Sequence, residues 1–145
     1  GIMVETAAAS LMADVFAKEV DFFSIGTNDL TQYTMSVDRG NEKVSYLYST
    51  FNPAVLRSIR NIIKCGREAG IMVGMCGEAA SDPMMIPLLL AFGLNEFSMS
   101  SSAILKARKM ITGYSEAELQ AVADKAMSFV SAKEIENFMR DFINQ

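Results

Sequence analysis

Three short apolar runs in this chain each end on side chains that could do chemistry. Glu5 follows Ile2-Met3-Val4, Asn28 and Asp29 follow Asp21-Phe22-Phe23-Ser24-Ile25-Gly26, and Cys76 and Glu78 close the run that begins at Ile71. In parallel α/β folds the active site lies at the carboxyl ends of the strands, so three such ends in one sheet would deliver these groups to one face. Glu5 and Asp29 would then present two carboxylates to a hard ion such as Mg2+, which takes one or two carboxylates plus water and substrate phosphate oxygens. Taken singly, each residue has a plainer reading. A lone Glu or Asp after a strand is usually a solvated loop residue or a helix N-cap, and Cys76, flanked by Gly74 and Gly77, is by default a buried structural thiol. Arg39 in a polar stretch is ordinarily a solvated charge, and Cys65, within a helix, is structural.

Composition narrows the chemistry. None of the 145 residues is histidine, which excludes a Ser-His-Asp triad, a Cys-His dyad, a His-ligated zinc site and a phosphohistidine intermediate within this chain. Lys and Arg number 13 against 17 Asp and Glu, a net charge of −4 with no Lys/Arg cluster, so the chain is a poor match to the phosphate backbone of nucleic acid. Half of the residues are hydrophobic and 21% are charged, enough apolar surface to offset chain entropy and build a core. Cys65 and Cys76 are too few for a disulfide framework and fit a reduced, cytoplasmic protein. No basic stretch precedes an apolar one at the start, so no signal peptide is expected. The longest greasy run, Met84 to Leu94, is interrupted by Pro87 and Gly93 and falls short of the roughly 20 residues that cross a bilayer. The chain opens on a strand-like run without an initiator Met, which suggests a piece of something longer.

The elements that must position the polar groups alternate in type. A helix is expected around Ala8 to Glu19, and Thr27-Asn28-Asp29 reads as a polar turn closing the second strand. Asp38 to Thr50 is polar and aperiodic, a long loop. Asn52-Pro53 starts a helix in which Val55, Leu56, Ile59, Ile62 and Ile63 recur at helical spacing, with Gly70 as its stop. Asp82-Pro83 opens a helix that ends near Gly93, Asn95 to Ser100 is a weak fourth strand, and a helix runs from about Ser102 to Ile111. Two final helices each carry a capping box, Ser115 with Glu118 and Ser131 with Glu134. This rhythm specifies an α/β fold of four parallel βα units over 1–111, with C-terminal helices over 112–145. Four units make either an open doubly wound sheet or half of a closed (β/α)8 barrel.

The strings that hold the candidate residues are distinctive together. Gly-Ile-Met-Val-Glu, then Asp-Phe-Phe-Ser-Ile-Gly-Thr-Asn-Asp-Leu-Thr-Gln-Tyr, then Val-Asp-Arg-Gly-Asn, then Gly-Met-Cys-Gly-Glu resemble the phosphoenolpyruvate (PEP)-binding domain of the PEP-utilising enzymes. The Val37-Asp38-Arg39 loop and Glu96-Phe97-Ser98-Met99-Ser100 resemble the enzyme I branch, the PEP-protein phosphotransferases of bacterial sugar uptake, more than pyruvate phosphate dikinase or PEP synthase. The resemblance runs from Gly1 to about Ile111; the closing helices match in place but carry no motif.

The resemblance implies a TIM-type barrel of which this chain is the second half, strands five to eight. It places Glu5 and Asp29 at the Mg2+-ligand positions, Asn28, Asp29 and Arg39 at the substrate-binding positions, and Cys76 at the position of the acid that protonates the enolate. Ala7 stands where the family usually has Pro, and Asn52 where it often has His. The implied reaction moves the phosphoryl group of PEP to a histidine on a separate N-terminal domain and then to HPr, releasing pyruvate. Without that histidine and the first half of the barrel, the isolated chain is expected to be inactive. The family dimerises through this domain, so a homodimer is implied. The readings to be separated from it are a PEP synthase or dikinase fragment and a non-catalytic dimerisation module.

Overall fold

The register of the sheet shows how alternation in the sequence becomes two unlike faces. The computed structural model describes residues 1–144. Strands β1 (Ile2–Val4), β2 (Phe22–Gly26), β3 (Met72–Cys76) and β4 (Glu96–Phe97) form one all-parallel sheet in the order β1-β2-β3-β4. Ile2 pairs with Phe23 and Phe23 with Val73; Val4 pairs with Ile25, Ile25 with Met75 and Met75 with Phe97. Val4, Phe23, Ile25, Val73 and Met75 on this face are fully buried. The other face carries Met3, Ser24, Gly74 and Glu96 in one row and Phe22 with Met72 in another. There Met3, Phe22 and Met72 are 50%, 41% and 51% exposed, so the helices cover one face and leave the other open.

The helices are α1 (Ala7–Leu11), α2 (Ala13–Phe16), α3 (Thr27–Met35), α4 (Pro53–Glu68), α5 (Ile86–Phe92), α6 (Ser101–Ile111), α7 (Glu116–Ser128) and α8 (Ala132–Ile143). Helix α4 is the principal cover of the sheet. Asn52 Oδ1 accepts the Ala54 N–H at 2.9 Å, Pro53 occupies the first turn, and Val55, Leu56, Ile59, Ile62 and Ile63 are buried. Each such side chain contributes roughly 1.5–3 kcal/mol of transfer free energy. Helix α7 packs on α5, and α8 brings Ile135 and Met139 into the same core. Both capping boxes form as expected.

Four local expectations shift, each for a physical reason. Thr27-Asn28-Asp29 is not a turn but the first turn of α3. Thr, Asn and Asp favour non-helical backbone, so propensity hid a helix that is held by burying Thr27, Leu30 and Thr31. The single helix expected around Ala8 to Glu19 is broken at Met12, whose backbone (φ −100°, ψ 13°) separates α1 from α2. Helix α5 starts at Ile86 because Glu78–Ser81 forms a 3-10 turn and Asp82 Oδ1 accepts the Met84 N–H at 2.8 Å, closing a further turn first. The fourth strand pairs over two residues only, and the Asn95 side chain extends the contact by accepting the Val73 N–H at 3.0 Å. Among the described residues no helix is long and apolar enough to cross a membrane.

Candidate functional site

The carboxyl ends of β2 and β3 are tied together by short polar contacts. Thr27 Oγ1 donates to the Cys76 carbonyl at 2.9 Å, and Asn28 Oδ1 accepts the Glu78 N–H at 3.2 Å. Between them Gly77 has φ +94°, a conformation that strains any residue with a β-carbon. A β-carbon there would also run into Thr27 Oγ1. The turn after β3 can therefore fold down onto α3 only with glycine at this position.

Glu5 approaches from β1. Its Oε2 lies 2.8 Å from where a Gly26 β-carbon would be, so the bare backbone of Gly26 is what lets this carboxylate lean over the end of β2. Asp29 sits in the first turn of α3, where N–H groups point outward and favour an anion. Arg39 reaches the same place from the loop after α3. That loop is anchored as the Gln32 carbonyl accepts the Val37 N–H at 3.0 Å and Gln32 Oε1 accepts the Arg39 N–H at 3.1 Å. The Arg39 guanidinium stands 3.8 Å from Asp29 Oδ1, with both side chains about two-fifths exposed (43% and 41%). Such a pair is worth little, about 0–1 kcal/mol, and yields readily to a competing ion or ligand.

Cys76 is half-buried, with Sγ 3.7 Å from the Ile25 carbonyl, which can accept its thiol proton. Cys65 is different: it is buried within α4, and burial pushes its thiol pKa up, as suits a structural residue.

Glu5, Asn28, Asp29, Arg39 and Cys76 thus line one recess of about 170 Å3, together with Met3, Gly26, Thr27 and Gly77. Glu78 contributes its N–H; its side chain is exposed and does not line the recess. Sequence reasoning did not single out Thr27, Gly77 or Tyr48, whose hydroxyl donates to the Asn28 carbonyl at 3.2 Å. The glycine before Glu78 was the only legible signal among them. Larger recesses of about 450 and 640 Å3 lie between α4, α5 and α7. The first gathers Arg60, Lys64 and Arg67, which the linear sequence does not show as a run, but among the described residues the carboxyl end of no strand lines either recess.

The donor set fits Mg2+. Glu5, just after β1, and Asp29, in the first turn of α3, put two carboxylates on one small recess. That is the arrangement expected where the ion keeps several waters and takes its remaining oxygens from substrate.

The chain matches the family described as PEP-utilising enzyme, PEP-binding domain, over residues 1–115. It is 49% identical over 142 residues to the phosphoenolpyruvate-protein phosphotransferase of Staphylococcus carnosus, covering 98% of this chain and 25% of that protein. With the protein of the same name from Staphylococcus aureus it shares 50% over 143 residues, 99% of this chain and 25% of the relative. With that of Priestia megaterium it shares 52% over 140 residues, 97% and 24%. The chain spans about a quarter of the length of these relatives. It belongs to the PEP-utilising enzymes, and residues 1–115 are the part of it that matches their PEP-binding domain.

Proposed function

We propose that this chain is the second half of a (β/α)8 barrel and supplies one side of the PEP and Mg2+ site of a PEP-protein phosphotransferase. The observation that carries the reading is the convergence of Glu5, Asn28, Asp29 and Cys76 from three successive strand ends, and of Arg39 from the loop after α3, on one recess. The barrel reading is supported by the sequential parallel order, by helices on one face only, and by an open face with exposed Met3, Phe22 and Met72. A doubly wound sheet would cover both faces. Barrel strands five to eight are then β1 to β4, with the βα units over 1–111 and the closing helices over 112–145. The first half of the barrel covers the open face and completes the site.

The reaction transfers the PEP phosphoryl group to a histidine on a separate N-terminal domain and then to HPr. The P–O bond to the enol oxygen breaks, that oxygen keeps the electron pair, and pyruvate enolate is left. Glu5 and Asp29 would hold Mg2+, which when bound neutralises phosphate charge and stabilises the enolate oxygen. Arg39 swings from Asp29 to the phosphate, where guanidinium geometry suits bidentate contact. Asn28 fixes substrate orientation through its amide. Cys76 then gives its thiol proton to C3, pyruvate leaves, and the Cys76 thiolate that remains on the enzyme takes a proton back from water. The parent works in the cytoplasm as a homodimer, and the loop residues Tyr46 and Leu47 (79% and 47% exposed) offer apolar surface for a second copy.

The test is phosphoryl transfer from labelled PEP in the full-length parent with Mg2+ and HPr but no nucleotide. Label on HPr together with stoichiometric pyruvate supports the reading. A requirement for ATP or AMP would move the protein to the synthase and dikinase branch, and an oligomer with no PEP or Mg2+ response would make the domain an assembly module.

A further inference from the structure

Helix α8 lies in the part of the chain that carries no motif, yet two hydrogen bonds connect it to Asn28. Half-buried Glu136 accepts through Oε1 from Ser49 Oγ at 2.8 Å. Ser49 Oγ in turn accepts the Phe51 N–H at 3.2 Å, and Phe51 is buried in the core, so the exit of the long loop is fixed at Ser49. The preceding residue, Tyr48, turns inward while its neighbours Tyr46 and Leu47 face solvent, and its hydroxyl donates to the Asn28 carbonyl at 3.2 Å. On its other side Asn28 is held through Oδ1 by the Glu78 N–H. Helix α8 is itself firmly placed by its capping box and by buried Ile135 and Met139.

We infer that Tyr48 is a positioning residue for PEP, acting through Asn28, and that Glu136 on α8 sets Tyr48 in place through Ser49. The inference rests on the PEP reading of the recess. With its carbonyl and Oδ1 both engaged, Asn28 is left its amide N–H groups, which donate to no described residue and are the groups free for the substrate. Preorganisation of this kind acts on substrate binding more than on the chemical step, so its loss falls on KM.

The experiment compares Tyr48→Phe, Ser49→Ala, Glu136→Ala and Glu136→Gln in the full-length parent, by steady-state kinetics with PEP and by amide hydrogen exchange of the segment around Asn28. Tyr48→Phe, Ser49→Ala and Glu136→Ala should each raise KM for PEP about three- to tenfold, the worth of one hydrogen bond, with kcat within about twofold. Glu136→Gln keeps an acceptor oxygen and should restore the parental KM. The double variant Tyr48→Phe with Glu136→Ala should be no worse than Tyr48→Phe alone, because both cut the same link. Exchange around Asn28 should speed up in the three disrupting variants and not in Glu136→Gln. An unchanged KM and unchanged exchange in Tyr48→Phe overturn the inference, as does a Glu136→Gln variant that behaves like Glu136→Ala. If the parent itself transfers no phosphoryl group from PEP, the reading of the site fails, and the exchange data alone then decide whether α8 is coupled to Asn28.

Discussion

Asn28 Oδ1 accepts the main-chain N–H of Glu78 across 50 residues of chain, fastening the first turn of α3 to the turn that follows β3. Cys76 lies just before that turn, so the same contact fixes where the thiol stands relative to the carboxylates.

Gly77→Ala tests this fastening. The substitution puts a β-carbon at φ +94° and against Thr27 Oγ1, and should cost about 1–3 kcal/mol of stability. Chemical denaturation of the full-length parent measures it. A loss below about 0.5 kcal/mol, the size of an ordinary surface substitution, would mean that the turn does not need glycine.

Asp29→Asn should weaken Mg2+ binding at least tenfold, about 1.4 kcal/mol, while leaving the fold intact, since Asp29 is two-fifths exposed and among the described residues pairs with Arg39 alone. Glu5→Gln should act in the same direction. Isothermal titration of the parent with Mg2+ in the presence of PEP measures both, and unchanged affinity in the two variants would remove them from the ligand set.

Cys76→Ala should abolish enolate protonation and largely spare Mg2+ binding. Pyruvate release per phosphoryl group transferred is the readout in the full-length parent. Equal pyruvate formation by the variant would assign the proton to another group.

Asp82 gives a pH signature. Burial raises its carboxyl pKa above the ordinary 3.8, with a smaller push from Glu136, against the lowering effect of the Met84 and Met85 N–H groups. A carboxyl raised on folding favours the neutral form. Its contribution to stability is therefore complete below pH 3.8 and is lost as pH rises through the higher folded value. Asp82→Asn, which keeps an acceptor for Met84, should thus match or exceed the parental Tm at pH 7, with the advantage shrinking below pH 4. A Tm at pH 7 well under the parental one would show that the charge itself is required.

Most of the frame was legible in the sequence because burial dictates it. Val55, Leu56, Ile59, Ile62 and Ile63 announce α4 by spacing, and Asn52-Pro53 announces its start. Three strands could be located from apolar runs bounded by polar ends, and the fourth only weakly over Asn95 to Ser100, of which Glu96 and Phe97 pair. What escaped depends on contacts between distant residues. Helix α3 is written in Thr, Asn and Asp and exists because tertiary packing buries Thr27 and Leu30, which no local propensity reports. The convergence of Glu5, Asn28, Asp29 and Cys76 followed from strand ends sharing one face, and Arg39 entered through the resemblance. The link from Glu136 to Tyr48 joins partners that have no sequence relationship at all.

The pairing of β2 with β3 also carries the largest chain-closure cost in the sheet. β3 meets β4 across 22 residues, whereas the turns after β2 and β3 are joined across 50. On loop-closure entropy alone the longer connection costs about 0.7 kcal/mol more to close. The outer strand pairs are thus cheaper to close, and closing the central pair across the 36–52 loop and α4 is the costliest step of the three. The recess exists only once that step is complete, so a folding intermediate that holds every helix would still lack the site.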